Sequence, residues 1–180
     1  MAEPLRPAFT LRVPDGDTRE RRICDSCGFV DYVNPRIVVG AVCTWEDRVL
    51  LCRRSIEPRR GFWTIPAGFL EERETLEEGV RREALEEARA EIELDGLLAV
   101  YSLARVSQVH VMYRARLVSP DVAVGEETLE VRLAAWDEVP WDELAFPTVR
   151  WALQHFDVVR GRAVFAPFAN PPGETGDLVV

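Results

Sequence analysis

Glu83, Glu86 and Glu87 crowd together in "GFLEERETLEEGVRREALEEARAEI", residues 68–92 of the 180-residue chain. If this stretch is a helix, residues three and four apart are neighbours, so Glu86 and Glu87 both lie beside Glu83 and the charges repel. Arginines and water can dilute that repulsion, or a cation can be held among the carboxylates. Thr75 is placed to cap such a helix, with Glu77 and Glu78 in the first turn where the helix dipole favours negative charge. A second grouping with ligand spacing is Cys24 and Cys27 in "RRICDSCGFVDYVNP", where Gly28 suits the tight turn of a zinc knuckle.

The elements that must position these groups read as strands and helices in alternating blocks. Residues up to about 22 are polar, carry Pro4, Pro7 and Pro14, and read as an extended arm. From Arg36, "RIVVGAVCTW", a turn at "EDR" and "VLLCRR" read as an apolar hairpin, with Cys43 and Cys52 as small buried hydrophobes within it. The short segment "FWTIP" precedes the acidic loop and helix. Strands follow in "LLAVYSLARV" and "VHVMYRARLV", then a loop "SPDVAVGEETLE" and a strand "VRLAAW". A last helix covers "TVRWALQHFDVVR", where Val149, Ala152, Leu153 and Phe156 recur at helical spacing. The Pro/Gly-rich end, residues 161–180, reads as a loose or draped tail. The order implies an α+β fold, a mixed sheet packed between helices.

In this context the acidic stretch resembles the Nudix box, G-x5-E-x7-R-E-U-x-E-E-x-G-U with U aliphatic. Gly68, Glu74, Arg82, Glu83, Glu86 and Glu87 match at the proper spacings, with Ala84 at the first U. Arg89 stands where the motif has its last glycine, and Ala90 is a small residue at the final U. That glycine usually closes the helix in a left-handed conformation, so its loss bears on how the helix ends. With "NPRIVVGAV", "LLCRRSIEPRRGFWTIPAGFLE" and "ETLEVRLAAWDEVPWDELAF", the resemblance covers residues 24 to 160 and extends to the branch that cleaves FAD and ADP-ribose and carries an N-terminal zinc-ribbon-like segment. It implies a Nudix fold, α/β/α, over residues 36–160, behind an arm and ribbon-like extension over 1–35.

The resemblance also implies a chemistry for the carboxylates. Magnesium or manganese prefers hard oxygen ligands, so carboxylates on one helix face make a cation site for a substrate's phosphates. Glu83 and Glu87 are expected as inner ligands, Glu86 as a helper, and the carbonyl of Ala67 as a further ligand, while Arg82 and Glu74 orient them. The general base is expected either in the box or in a later loop, where Glu127 and Glu130 are the candidates beside Glu126. Arg53 and Arg54, with Arg59 and Arg60, precede the box and suit phosphate. Gly68 and Phe69 complete the expected substrate contacts. Relatives of this branch carry two Cys pairs, whereas residues 1–23 here hold none, so Cys24 and Cys27 are expected to form a degenerate ribbon without zinc.

Composition narrows the function classes. A formal net charge of −9 disfavours general nucleic-acid binding, although a small anionic substrate bridged by metal is compatible. No apolar run approaches a membrane span, and the N-terminus lacks the pattern of a signal peptide, so a cytoplasmic chain with cysteines as thiols is expected. The expected activity is cleavage of a nucleoside diphosphate linked to another group, by a homodimer. The alternatives are a nucleoside-triphosphate house-cleaning pyrophosphatase, a non-catalytic nucleotide-sensing Nudix module, and a ribbon protein that binds DNA or RNA, which the charge weakens.

Overall fold

The computed structural model describes residues 8–177, and the chain divides into two compact units, Met1–Pro35 and Arg36–Val180. The first unit is a small antiparallel sheet in the order β1 (Phe9–Arg12), β2 (Arg21–Cys24), β3 (Val30–Asp31). The expected arm is extended but not solitary. The turn "PDGD" folds it back through Asp17 N–H to the Pro14 carbonyl at 3.1 Å, and β1 then pairs with β2 from Phe9↔Cys24 to Arg12↔Arg21. The part of the arm before residue 8 lies outside the described residues.

The second unit is built on one mixed sheet. Its strands are β4 (Arg36–Trp45), β5 (Arg48–Arg54), β6 (Trp63–Thr64), β7 (Ala67–Phe69), β8 (Ile92–Leu103), β9 (Gln108–Leu117) and β10 (Thr128–Ala134). The main order is β10-β5-β4-β9-β8, with β6 on β5 and β7 on β4. The β4–β9 pair is parallel, and the neighbouring pairs are antiparallel. Two helices cover opposite faces, α1 (Leu76–Ala88) and α2 (Pro147–Val159). Period-two alternation along β4 serves both: Val39, Ala41 and Cys43 pack with Val80, Ala84 and Ala88 of α1, whereas Val38 and Val42 pack with Val149, Leu153 and Phe156 of α2. This is the expected α/β/α sandwich. Cys43 and Cys52 are buried free thiols, and burial pushes Cys43 up to about 12.

Two strands start earlier than their patterning suggests, because irregular register breaks the alternation. β8 begins at Ile92, with shifts between Leu94 and Leu97 and between Leu97 and Ala99. β10 begins at Thr128, with a shift between Thr128 and Glu130, so Glu130 belongs to a strand and not to the preceding loop. Residues 161–177 drape along β8: Phe168 N–H donates to the Leu98 carbonyl and the Phe168 carbonyl accepts from Val100 N–H, each at 2.9 Å, and Asn170 bonds both backbone groups of Ser102. Among the described residues no helix is long and apolar enough to cross a membrane.

Candidate active site

The acidic helix is fixed at both ends. At its start Glu78 N–H donates to Thr75 Oγ1 at 3.2 Å and Thr75 N–H donates to Glu78 Oε2 at 2.8 Å, a reciprocal capping box. At its end Arg89 adopts the left-handed conformation (φ 51°, ψ 29°) that a glycine would take more cheaply. Arg89 N–H bonds the Leu85 carbonyl and Ala90 N–H the Ala84 carbonyl, so the helix stops where the motif says, despite the missing glycine. Beside it runs β7, and here glycine is required by space. A Cβ built on Gly68 would lie 2.3–2.5 Å from the Glu83 carboxylate, so any larger residue would displace that carboxylate.

Arg82 is the hub of the cluster. Its Nε donates to Glu74 Oε1 at 2.8 Å, Nη1 to Glu83 Oε1 at 2.7 Å and Glu86 Oε2 at 3.0 Å, and Nη2 to Glu74 Oε2 and the Phe69 carbonyl. These charge-assisted bonds answer the repulsion posed by the sequence: one guanidinium sits among three carboxylates. They hold Glu74 below its ordinary carboxylate range and Arg82 above its own. Glu87 is outside this arrangement. It is 7% exposed, and its Oε2 accepts from Ala67 N–H at 3.2 Å. Burial first, then the Glu83 charge, pushes Glu87 up to about 8 against the pull of Ala67 N–H and Arg54. Glu83 is raised too, chiefly by burial, with Arg82 opposing.

A separate loop brings in a further carboxylate. The segment between β9 and β10 docks on the end of α1 through Ala123 N–H to the Ala88 carbonyl at 2.9 Å and Gly125 N–H to the Glu87 carbonyl at 3.1 Å. A Cβ on Gly125 would fall 1.7 Å from the Glu86 carbonyl oxygen, so only glycine permits this seat. From it Glu126 and Glu127 reach the wall of a cavity of about 860 Å³ that Glu83, Glu86, Glu87 and Arg54 also line. Ser55 ties the loop to the end of β5 by N–H to the Glu127 carbonyl at 2.9 Å.

The remaining expected residues divide between two places. Ala67, Gly68 and Phe69 line the cavity, and Arg82 stands beside them. Glu74 supports Arg82 from behind. Arg53 and Glu130 are not on the cavity wall: they pair with each other at 3.6 Å across β5 and β10, Glu130 also meets Arg132, and Arg53 Nε donates to the Gly61 carbonyl. Strand alternation explains this, since Arg53 and Arg54 point to opposite faces and only one can reach the site. Cys24 and Cys27 sit in the first unit, where Cys27 and Ser26 backbone N–H groups draw the Cys24 thiol below its usual range.

Sequence reading missed the other end of the cavity, which is apolar and lined by Val38, Leu103, Met112, Phe146 and Val149. Gln108 and His110 stand there too. His110 is held neutral by burial, which lowers it to about 4, and its Nε2 meets Gln108 Oε1 at 2.9 Å while Nδ1 has no partner. Their shared parity along β9 with Met112 was the available signal. Arg89 also lines the cavity.

The carboxylate end fits a hard divalent cation by its donors: among the described residues Glu87 is buried with one direct donor, and Glu83 and Glu86 are balanced only by Arg82. In this structure they are drawn toward Arg82 and do not converge, and among the described residues no trio of His, Cys, Asp or Glu makes a ready cage. A cation held here therefore requires Glu83 or Glu86 to turn from Arg82. In the first unit the donor set does not fit a closed zinc site, because Cys24 and Cys27 supply two of four ligands and no third joins them among the described residues.

Two family models match the chain, the NUDIX domain over residues 34–158 and the Nudix N-terminal zinc-ribbon family over residues 7–33. An ADP-ribose pyrophosphatase of Methanocaldococcus jannaschii is 28% identical over 119 residues, 64% of this chain and 69% of that protein. A NUDIX hydrolase from Nitrosomonas europaea is 44% identical with a TM-score of 0.86, over 93% of this chain and 97% of that one. The NUDIX domain of Shewanella oneidensis NrtR, solved in complex with ADP ribose, is 27% identical with a TM-score of 0.59, over 71% of this chain and 90% of that one.

Proposed function

Because the chain belongs to the Nudix hydrolase family and so acts on phosphoanhydride bonds, we propose that it is a magnesium-dependent pyrophosphohydrolase. Its substrate is a nucleoside diphosphate linked to a second group, with ADP-ribose and FAD foremost, and its products are a nucleotide and a phosphorylated partner. The observation that carries this reading is the cavity itself. Its acidic end gathers Glu83, Glu86, Glu87 and Glu127, and its other end is apolar. A substrate with a diphosphate and a second, bulky group uses both kinds of lining in a cavity of about 860 Å³. The relatives known as an ADP-ribose pyrophosphatase and as an ADP-ribose complex support the same choice.

Glu83 and Glu87, helped by Glu86 and the Ala67 carbonyl, would hold the cation. When bound, magnesium compensates the pyrophosphate charge and makes water easier to deprotonate. Arg82 fixes the direction of the carboxylates, and Glu74 fixes Arg82 through paired bonds. Glu127 faces the same cavity from an independent loop and is the residue we assign to take the proton of the attacking water. Glu130, committed to Arg53 and Arg132, has no such access. Arg54 faces phosphate with part of its guanidinium, its Nε being held by the Pro58 carbonyl at 2.9 Å.

The test is a substrate panel with magnesium, read as released AMP or phosphate. ADP-ribose or FAD should be cleaved faster than any nucleoside triphosphate. Faster cleavage of triphosphates would replace this reading with the house-cleaning one, and tight nucleotide binding without turnover would make the protein a sensor.

A further inference from the structure

The cavity wall carries four arginines, Arg54, Arg82, Arg89 and Arg105, and they are unequally engaged. Arg82 is saturated by Glu74, Glu83, Glu86 and the Phe69 carbonyl. Arg105 is paired with Asp177. Arg54 donates Nε to Pro58 and lies over the Phe146 ring. Arg89 is exposed, and among the described residues its guanidinium has neither a carboxylate partner nor a carbonyl acceptor.

Its backbone makes this arginine costly. A residue with a Cβ is disfavoured in the left-handed region, and glycine would close the same turn without that cost. Arg59 and Arg73 also stand at positive φ, but neither lines the cavity. Arg89 combines the strained backbone with a cavity-facing position two residues beyond Glu87, at the rim of the carboxylate cluster.

We propose that Arg89 is a substrate-contacting residue, which places its guanidinium on a phosphate oxygen of the diphosphate held at the carboxylates. The proposal rests on the pyrophosphohydrolase reading above. Guanidinium suits phosphate because it is always charged and offers forked donors. The cavity needs such a group, since Glu71, Glu83, Glu86, Glu87, Glu126 and Glu127 all line it and an anionic substrate must enter against them. The contact is made to the ground-state phosphate as well as the transition state, so its removal should weaken binding more than turnover.

The test compares Arg89→Gly, which removes the charge and relieves the backbone, with Arg89→Lys, which keeps both the charge and the strain. For ADP-ribose hydrolysis, Arg89→Gly should raise KM about tenfold with kcat within about twofold, and KM should lose part of its dependence on ionic strength. Arg89→Lys should fall between the two. The melting temperature of Arg89→Gly should rise by a few degrees, which separates a lost contact from a damaged fold. Calorimetric binding of inorganic pyrophosphate with magnesium reads the same contact without turnover, and affinity should fall about tenfold in Arg89→Gly. Parent-like pyrophosphate affinity in Arg89→Gly would overturn the proposal and leave Arg89 as a charge opposite the helix dipole. A parent enzyme that binds pyrophosphate but hydrolyses no diphosphate-linked nucleotide would sink the assigned substrate class while the affinity comparison still decides Arg89.

Discussion

The turn at Cys24–Gly28 and the helix at Glu83–Glu87 both present ligand-type residues at regular spacing, but they are held in different ways. The turn is complete within six residues: Gly28 N–H reaches the Cys24 carbonyl at 2.9 Å and Cys24 N–H the Phe29 carbonyl at 2.8 Å. Its geometry persists with only two thiols to serve. The helix does not make its site alone. Glu83 depends on the space left by Gly68, Glu87 on Ala67 N–H, and Glu127 on a loop seated by Gly125. A local backbone pattern thus closes through its own neighbours, whereas a site assembled from distant segments ties its chemistry to the whole fold.

The largest expected effect tests the assembled site. Glu87→Gln keeps the shape and removes one charge, so turnover of ADP-ribose should fall by about a hundredfold or more, the scale of losing a strong electrostatic contributor. Melting without magnesium should hold level or rise, while stabilisation by magnesium shrinks. Parent-rate hydrolysis at saturating magnesium would remove Glu87 from the mechanism. Next, Gly125→Ala should lift the loop that carries Glu127. Stability should drop by roughly 1–3 kcal/mol, the usual cost of forcing extra volume into a tight contact, and turnover should fall with it. A variant that melts early yet keeps its full rate under folding conditions would remove Glu127 from the mechanism.

A smaller effect is set by pH. An ordinary glutamate titrates at 4.5, and Glu87 in the fold is pushed up to about 8. Between those values the folded protein retains a proton that the unfolded chain has released, so metal-free stability falls as pH rises through that window. Magnesium competes with the same proton, so its stabilisation should grow over the same range. Thermal melts from pH 5 to 8 check both trends, and Glu87→Gln should flatten them; an equal slope in the variant would assign the effect to another group. The smallest effect belongs to the turn. Cys24→Ser should leave hydrolysis unchanged, and metal analysis should find well under one zinc per chain. One zinc per chain would show that the other two ligands come from outside the described residues or from a second chain.

How much of this was legible depended on the range of the interactions. The α1 cap at Thr75, the α2 face through Val149, Leu153 and Phe156, and the spacing of Glu83, Glu86 and Glu87 are set by neighbours within a few residues, so patterning exposed them. The exile of Glu130 into a strand pair and the arrival of Glu127 depend on register shifts and on which loop touches which helix end. A bulge between Thr128 and Glu130 leaves no mark in hydropathy. The apolar end of the cavity was missed for the same reason: Leu103, Met112 and Phe146 look like core material until the fold leaves space among them.

The parallel pairing of β4 with β9 sets an order of events as well as a shape. Ile37 lies against Val109 and Thr44 against Arg116, so the centre of the sheet closes across the entire acidic helix and β8. Contacts between such distant positions carry a large loop-closure cost and form late. A chain emerging from its amino end can wind α1 early, but until β9 arrives the helix has no finished sheet on which to bury Val80 and Ala84, and its carboxylates stay in water. During synthesis the charge cluster is thus a solvated segment first and part of an assembled cavity wall last.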